Sequence, residues 1–263
     1  MAIHSETPVR LALLITTGLL WLGGCSGADD AQANLDPVAL SGCNMIEHSG
    51  TDYVVCSYSA SQDIRMFHAD AAGVPYNQFS TLARELDEQG ETLIFAMNGG
   101  MYHDDRGPVG FYRDLSGDQA SVNVNDGPGN FHMKPNGVFW LAGDMAGITE
   151  SQAYLDQGID PDYATQSGPI LVINGEIHPE FNADGTSHKR RNGVGVSADG
   201  DKVHFAISDG AVTFYDFAAL FRDRLDTPNA LFLDGQVSRL YATDIQRNEA
   251  GSDMGPIVGV VEQ

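Results

Sequence analysis

Residues 92–100 read Thr-Leu-Ile-Phe-Ala-Met-Asn-Gly-Gly, an apolar run that ends in one polar residue and two glycines. The run has the length of a buried strand, and the glycines that follow mark the loop after it. Similar runs occur at 137–142, 170–173, 194–197, 203–207, 230–233 and 257–261. The sequence therefore predicts a strand-rich protein.

Two segments show the apolar spacing of an amphipathic helix instead. Within residues 79–86 the apolar positions follow i, i+3, i+4 and i+7, and Gly90 stands where a C-terminal cap belongs. Residues 217–225 repeat the spacing before Pro228. We predict an α+β fold in a single domain, with a mixed, strand-rich sheet and a few helices.

The first residues resemble an export signal. Leu11 to Leu22 is an uncharged apolar run of about 12 residues, too short for a membrane span, which needs about 20. It ends in Leu-Gly-Gly before Cys25, a pattern that resembles a lipobox. We predict that residues 1–24 are a lipoprotein signal peptide and that Cys25 is the lipidation site. An ordinary signal peptide with an incidental Cys25 is the alternative.

Residues 25–37 are small and polar, which predicts a lipidated tether, and residues 38–263 form the folded domain. Two acyl chains give stable anchoring, and Ser26 after the cysteine favours the outer membrane of a Gram-negative cell. The predicted location is the cell envelope, on the periplasmic face of the outer membrane. The lipid anchor is then the only expected contact with a membrane.

The cysteine count agrees with export. Without the lipidated residue, Cys43 and Cys56 remain, an even pair in an oxidising compartment. Cys56 belongs to a β-like run and Cys43 to the loop before it. A disulfide would close a loop of about 13 residues and stabilise the domain by about 3 kcal/mol. Two buried, unpaired thiols are the alternative.

The charge balance excludes one class of partner. The net charge is −22, and nucleic-acid binding depends on Lys and Arg that neutralise phosphates, so no nucleic acid is expected. Three of only 14 basic residues are adjacent at 189–191. In so acidic a chain this run predicts a local anion site, although a solvated loop is the bland interpretation.

Polar side chains and glycines recur together at the predicted strand ends. Glycine lets backbone approach a ligand closely, and Asn-Gly or Asp-Gly is also a common hairpin turn. One such pair is weak evidence for a binding site, whereas five of them in one chain favour a functional site. The five stretches are NGGMY at 98–102, KPNGVF at 134–139, SGPILVING at 167–175, RNGVGV at 191–196 and LDGQVS at 233–238.

In this order and at these separations, the five stretches resemble the phosphodiester glycosidase family. Its best-known enzymes remove N-acetylglucosamine from a sugar-1-phosphate diester, and many bacterial members are exported and associated with exopolysaccharides. The resemblance covers about residues 50–262. One departure concerns Gln236 and Val237, because the branch that acts on N-acetylglucosamine has glycines there. Those side chains indicate a different substrate.

The resemblance implies the chemistry of the site. Cleavage of a sugar C1–O–phosphate bond passes through an oxocarbenium-like transition state, and cationic groups that hold the leaving phosphate become valuable. It implies Asp234 as nucleophile, base or stabiliser of the cationic sugar, Arg191 as phosphate clamp, and His103 as a possible acid/base. The groups that bind sugar or phosphate are then Asn98, Gly99, Gly100, Lys134, Asn136, Ser167, Asn192 and Ser238.

Each role has a structural alternative. Asp234 with Gly235 is also a tight turn, and His103 is also a solvated loop histidine. No cofactor and no metal site are implied by the spacing of the histidines. Residues 123–130 (NVNDGPGN) carry oxygen ligands that suit Ca²⁺ but lack the spaced carboxylates of a calcium loop, so a plain glycine-rich loop is the alternative.

The predicted function is an exported lipoprotein hydrolase that cleaves a glycosyl phosphodiester in envelope or exopolysaccharide metabolism. A carbohydrate phosphodiester is its expected partner. The alternative is a non-catalytic envelope protein that binds a polysaccharide or an assembly partner. Asp234, Arg191 and Lys134 are all present, which favours the enzyme.

Overall fold

The structure is a computed structural model that describes residues 41–263. The predicted signal peptide, the lipidation site Cys25 and the tether of residues 25–37 lie outside the described residues. Within 41–263, no helix combines the length and the apolar character that crossing a membrane requires.

The strands of the described residues form three sheets, which we name A, B and C. In spatial order, sheet A contains β1 (Gly42–His48), β2 (Thr51–Ser59), β13 (Lys202–Ser208), β12 (Asn192–Val196), β14 (Asn229–Asp234), β10 (Ile170–Ile173) and β11 (Glu176–Ile177). Sheet B contains β16 (Arg247–Asn248), β15 (Leu240–Ala242), β4 (Thr92–Asn98), β17 (Ile257–Glu262) and β3 (Ile64–Phe67). Sheet C contains β6 (Gly117–Ala120), β5 (Tyr112–Asp114), β9 (Tyr163–Ser167), β7 (Gly137–Ala142) and β8 (Met145–Glu150).

Short helices accompany the sheets. They are α1 (Phe79–Glu88), α2 (Ser151–Gln157) and α3 (Phe214–Ala219), which continues into a π-helical turn at Leu220–Arg224; a 3₁₀ turn covers Asn130–His132. The two predicted helices correspond to α1 and to α3 with its π-helical turn. Helix α2 was not predicted, because seven residues are too few to establish a helical period.

The α+β class and all seven predicted strands are confirmed, but the prediction of one mixed sheet needs correction. Every ladder between the described strands is antiparallel, and the strands are divided among three sheets. Continuous apolar runs are typical of parallel strands that are buried on both faces. Here β4 and β14 are also buried on both faces, although their neighbours are antiparallel.

The reason is that one core lies among the three sheets and a smaller core lies behind each of them. Leu231 of sheet A, Phe95 of sheet B and Phe139 of sheet C belong to the same buried cluster. The opposite face of sheet A packs against α3 through Phe217, and that of sheet B packs against α1 through Leu82. Strands β4 and β14 are therefore packed on both faces, so the residues at their ends are held in fixed positions.

The predicted disulfide is confirmed. Cys43 and Cys56 are bonded with an S–S distance of 2.04 Å. Cys43 does not lie in a loop, as the sequence suggested, but in β1, directly opposite Cys56 in β2. A directly opposite antiparallel pair brings its Cβ atoms close, which makes a cross-strand bridge possible.

Candidate active site

Three strand ends meet where sheet A adjoins sheet B. Asp234 is the last residue of β14 and Asn192 the first of β12, and these two residues are register partners. Asn98 is the last residue of β4 in sheet B. The chain then runs from β14 through residues 235–239 into β15, so this loop connects the two sheets at the same place.

The side chains and backbones of these three residues form a closed set of hydrogen bonds. Asn98 Nδ2 donates to Asp234 Oδ2 at 2.8 Å, and Asn192 Nδ2 donates to the backbone oxygen of Asn98 at 2.8 Å. The backbone N–H of Asp234 donates to Asn192 Oδ1 at 2.7 Å. Both asparagine side chains are fully buried. The carboxylate is therefore held by groups whose own positions are fixed by backbone contacts.

The loop after Asp234 is fixed at both ends. The Gly235 N–H donates to Asp234 Oδ1 at 2.6 Å, and the Ser238 hydroxyl lies 3.2 Å from Asn192 Oδ1. Between them, the side chains of Gln236 and Val237 are exposed, Val237 at 44%. We call Asn98, Asn192, Asp234 and Ser238 the amide cluster. The two ends of the loop therefore belong to this cluster, and its middle residues are exposed to solvent.

Asp234 is an unusual carboxyl group. Burial raises its pKa from 3.8 to about 6, against the opposing effects of the Gly235 N–H, the Asn98 amide and the charge of Arg239. A carboxylate with this pKa is ionised at neutral pH and is a stronger base than an ordinary aspartate. Perturbed carboxyl groups of this kind are frequent at catalytic positions.

Two residues near Asp234 were not predicted as site residues. Arg239 is buried, its backbone N–H donates to Asn98 Oδ1 at 2.9 Å, and its charge lowers the pKa of Asp234. Burial raises the pKa of Tyr102, and the charge of Asp234 raises it further. Tyr102 is the last residue of NGGMY and Arg239 directly follows LDGQVS, and a basic residue at that position in so acidic a chain was the available signal.

Arg239 carries its charge without a carboxylate partner. Its Nη1 donates to Gln78 Oε1 at 2.9 Å and its Nη2 to the backbone oxygen of Ser252. Within residues 41–263 no Asp or Glu forms an ion pair with it. Because no carboxylate neutralises this charge, it can act on the electrostatic potential at Asp234 and lower the pKa of that residue.

Several predicted residues have contacts that fix the positions of the strand ends. The Ser167 hydroxyl donates to the backbone oxygen of Leu233 at 3.0 Å, which connects sheet C to the residue before Asp234. A Cβ at Gly99 would lie 2.8 Å from the backbone of β17, and one at Gly100 would lie 2.7 Å from Thr165. These positions require glycine because other strands pass so close.

The structure corrects the place of Arg191. Its side chain is 1% exposed, its guanidinium lies 3.6 Å from the ring centre of Phe214, and its Nε and Nη2 donate to the backbone oxygens of Val212 and Ser187. Burial lowers its pKa to about 10. Arg191 therefore packs under the sheet, with two of its nitrogens bonded to backbone oxygens in the interior, and its role as phosphate clamp stays a prediction.

Three further predicted residues also lie outside the amide cluster. Lys134 forms an ion pair with Asp126 at 2.7 Å, and Asn136 is buried with its Nδ2 donating to the backbone oxygen of Phe131 at 3.0 Å. His103 is exposed in a turn, where its backbone N–H donates to the oxygen of Gly107. Among the described residues, none of these three side chains forms a hydrogen bond or ion pair with Asp234.

The proposed calcium loop has its oxygens engaged within the protein. Asp126 pairs with Lys134, and the backbone oxygen of Asn123 accepts from Gln166 Nε2 at 2.8 Å. Across residues 41–263, no group of three His, Cys, Asp or Glu side chains is arranged to hold a metal ion. These contacts leave both interpretations of the loop, a calcium site and a plain glycine-rich loop, as predictions.

The fold and the site define a class: an α+β protein in which one raised-pKa aspartate stands at a strand end, held by two buried asparagines. The chain belongs to the phosphodiester glycosidase family, whose model matches residues 91–259. The resemblance read from the sequence is thereby confirmed. The match includes Asn98, Asn192, Asp234 and Ser238, so the whole amide cluster lies within the family's domain.

Relatives agree with this assignment. The chain is 33% identical to the uncharacterized protein YigE of Escherichia coli K12 over 204 residues, which cover 78% of this chain and 79% of that protein. It resembles the catalytic domain of zebrafish N-acetylglucosamine-1-phosphodiester alpha-N-acetylglucosaminidase, with a TM-score of 0.59, 15% identity, and coverage of 84% of this chain and 82% of that one.

A hypothetical protein from Synechocystis is also similar, with a TM-score of 0.54, 13% identity, and coverage of 84% of this chain and 61% of that one. At such low identities the two solved structures support the fold alone. The family assignment depends on the family match and on the Escherichia coli relative.

Proposed function

We propose that this protein hydrolyses a glycosyl phosphodiester, with Asp234 as its catalytic carboxylate. The observation that carries the proposal is the position of Asp234, at the end of β14 beside an exposed loop, with its pKa raised to about 6. Membership of the phosphodiester glycosidase family supplies the class of bond.

In the proposed reaction Asp234 acts as the general base. A water molecule attacks C1 of the sugar and gives a proton to the Asp234 carboxylate, while the C1–O bond breaks and its electron pair leaves with the phosphate monoester. A base works best when its pKa lies near the operating pH, which a value of about 6 satisfies better than the ordinary 3.8.

The leaving group explains why one carboxylate suffices. A phosphate monoester is far less basic than a sugar alkoxide, so protonation by a general acid is less necessary than in ordinary glycoside hydrolysis. The positive charge of Arg239, close enough to lower the pKa of Asp234, also favours negative charge on groups bound beside it. Asn98 and Asn192 keep the base oriented.

The proposal extends to the cell envelope. The pattern that ends at Cys25 supports an exported lipoprotein on the periplasmic face of the outer membrane, and the bridge between Cys43 and Cys56 agrees with an oxidising compartment. Glycopolymers with phosphodiester links are assembled and remodelled there. Envelope or exopolysaccharide glycans are therefore the proposed source of substrate.

The direct test measures sugar release by the purified protein from residue 38 onward. Methyl N-acetylglucosamine-1-phosphodiester and p-nitrophenyl glycosyl phosphodiesters are incubated with wild type, Asp234→Asn and Asp223→Asn. Asp223 is an exposed carboxylate paired with Arg222, so its variant controls for the substitution itself. We expect turnover by wild type and Asp223→Asn, and at least about a 100-fold loss in Asp234→Asn.

Other outcomes decide against parts of the proposal. Tight glycan binding by calorimetry without any turnover would identify a non-catalytic binding protein. Proton NMR of the released sugar tests the role of Asp234, because a general base gives inversion at C1 and a nucleophile gives retention. Inversion is expected.

A further inference from the structure

The three adjacent basic residues at 189–191 differ in their burial and in their contacts. Arg191 is buried under Phe214, and Arg190 forms an ion pair with Glu249 at 2.8 Å. Lys189 alone of the three is exposed, and within the described residues it has no carboxylate partner. The charge that remains available to a ligand is therefore that of Lys189.

Lys189 reaches the loop that follows Asp234. Its Nζ donates to Gln236 Oε1 at 3.2 Å, and Gln236 stands two residues after Asp234 in the exposed middle of that loop. The backbone of Lys189 is fixed as well, because it exchanges hydrogen bonds of 3.1 and 2.8 Å with Val212. Three residues further on, Asn192 belongs to the amide cluster.

The electrostatics of the site call for such a cation. The protein carries a net charge of −22, and Asp234 is itself ionised at neutral pH, so a phosphodiester that approaches it meets like charge. The charge of Arg239 opposes this, but its side chain is buried. A lysine ammonium has three donors, and the bond to Gln236 uses one, so two remain for phosphate oxygens.

We propose that Lys189 binds the phosphate of the phosphodiester substrate and that Gln236 orients its ammonium group. The proposal depends on the proposed function, since it names the group that recognises the charged part of that substrate. It assigns Gln236 a use that a glycine at this position could not have. It also predicts preference for a glycosyl phosphodiester over a neutral glycoside of the same sugar.

The test compares Lys189→Met, which keeps the stem and removes the charge, with Arg84→Met. Arg84 is exposed on α1 behind sheet B, so its variant removes one positive charge away from the site. Lys189→Met should raise KM for p-nitrophenyl N-acetylglucosamine-1-phosphodiester by about 10-fold or more and weaken its dependence on salt. Arg84→Met should match wild type.

Further variants separate recognition of charge from general damage. Lys189→Arg should restore most of the affinity, and Gln236→Ala should raise KM less than Lys189→Met does. Turnover of a neutral p-nitrophenyl glycoside, where wild type shows any, should be equal in Lys189→Met and wild type. Equal KM values for the phosphodiester in wild type and Lys189→Met, with wild type active, would overturn the inference and leave the proposed function standing.

Binding of N-acetylglucosamine-1-phosphate, measured by calorimetry, gives a readout that needs no turnover. Binding that Lys189→Met abolishes and Arg84→Met preserves supports the inference even where every phosphodiester remains uncut, in which case the proposed function fails alone. Equal binding by wild type and Lys189→Met contradicts the inference.

Discussion

Replacing Asp234 with Asn should inactivate the enzyme and stabilise the fold at neutral pH. The pKa of Asp234 is raised from 3.8 to about 6, so the folded protein holds this proton more tightly than the unfolded chain does. For a raised carboxyl pKa, stability falls as the pH rises from about 4 to about 6, and the loss stays in full above that range. The ionised side chain therefore costs stability at pH 7.5.

The magnitude follows from the shift. About two pKa units correspond to about 3 kcal/mol, and an asparagine loses one of the two hydrogen bonds from Asn98 and Gly235, which costs about 1 kcal/mol. The net gain is about 2 kcal/mol at pH 7.5, or about 4–8 °C in Tm for a domain of this size. At pH 4 the two proteins should lie within about 1 kcal/mol.

The assay is urea unfolding of wild type and Asp234→Asn at pH 4.0, 6.0 and 7.5, with activity measured in parallel. Asp223→Asn is the control with the opposite sign, because hydrogen bonding to Arg222 lowers the pKa of Asp223. Its removal should slightly reduce stability at pH 7.5. Equal stability of wild type and Asp234→Asn at pH 7.5 would refute the conclusion that burial raises the pKa of Asp234. A stability difference that stays the same at all three pH values would refute it as well.

Four further predictions concern the surroundings of the carboxylate and the fold. Arg239→Met should raise the pKa of Asp234 above about 6, so the acid limb of the kcat/KM profile should move to higher pH if Asp234 is the base that we propose. Asn192→Ala leaves two buried backbone groups without partners and should cost about 2 kcal/mol or more in urea unfolding, together with most of the activity. Arg191→Met should lower Tm but leave KM within about 2-fold at temperatures where it is folded, whereas a large KM increase would restore the role of phosphate clamp. Replacing Cys43 and Cys56 together with Ser should cost about 3 kcal/mol and leave kcat of the folded protein unchanged, which urea unfolding and steady-state assays check.

Much of the site was readable from the sequence because its residues stand at strand ends. Asn98, Asn192, Asp234 and Ser238 each follow or begin a run that the structure confirms as a strand or its adjoining loop. The end of an apolar run predicts the end of the strand. The polar residue at that position then lies at the strand's end, where the packed strand holds it in place. Their convergence required the family resemblance, since pairing of distant strands is not visible in one sequence.

The basic run at 189–191 shows what a run of like residues leaves open. Three adjacent charges predict one anion site, but the three side chains have different partners in the structure. Arg190 pairs with Glu249, Arg191 packs beneath the sheet, and Lys189 donates to Gln236. The sequence indicates a concentration of positive charge, and the partners of each side chain depend on segments far away in the chain.

The fold was harder to predict than its strands. Strands such as β11 and β16 are two residues long, which is too short for any pattern. The division into three antiparallel sheets depends on contacts between distant segments, and continuous apolar runs do not distinguish a parallel strand from an antiparallel one that is covered on both faces.

The hydrogen bonds around Asp234 join segments that are far apart in the chain. The bond from Asn98 spans 136 residues, and the bond between Asn192 and Asn98 spans 94. No fragment that ends between these segments can assemble the surroundings of Asp234, and contacts of such long range form slowly in folding. If Asp234 is the catalytic carboxylate that we propose, activity will appear only when folding is complete, which makes it a suitable readout for a refolding time course.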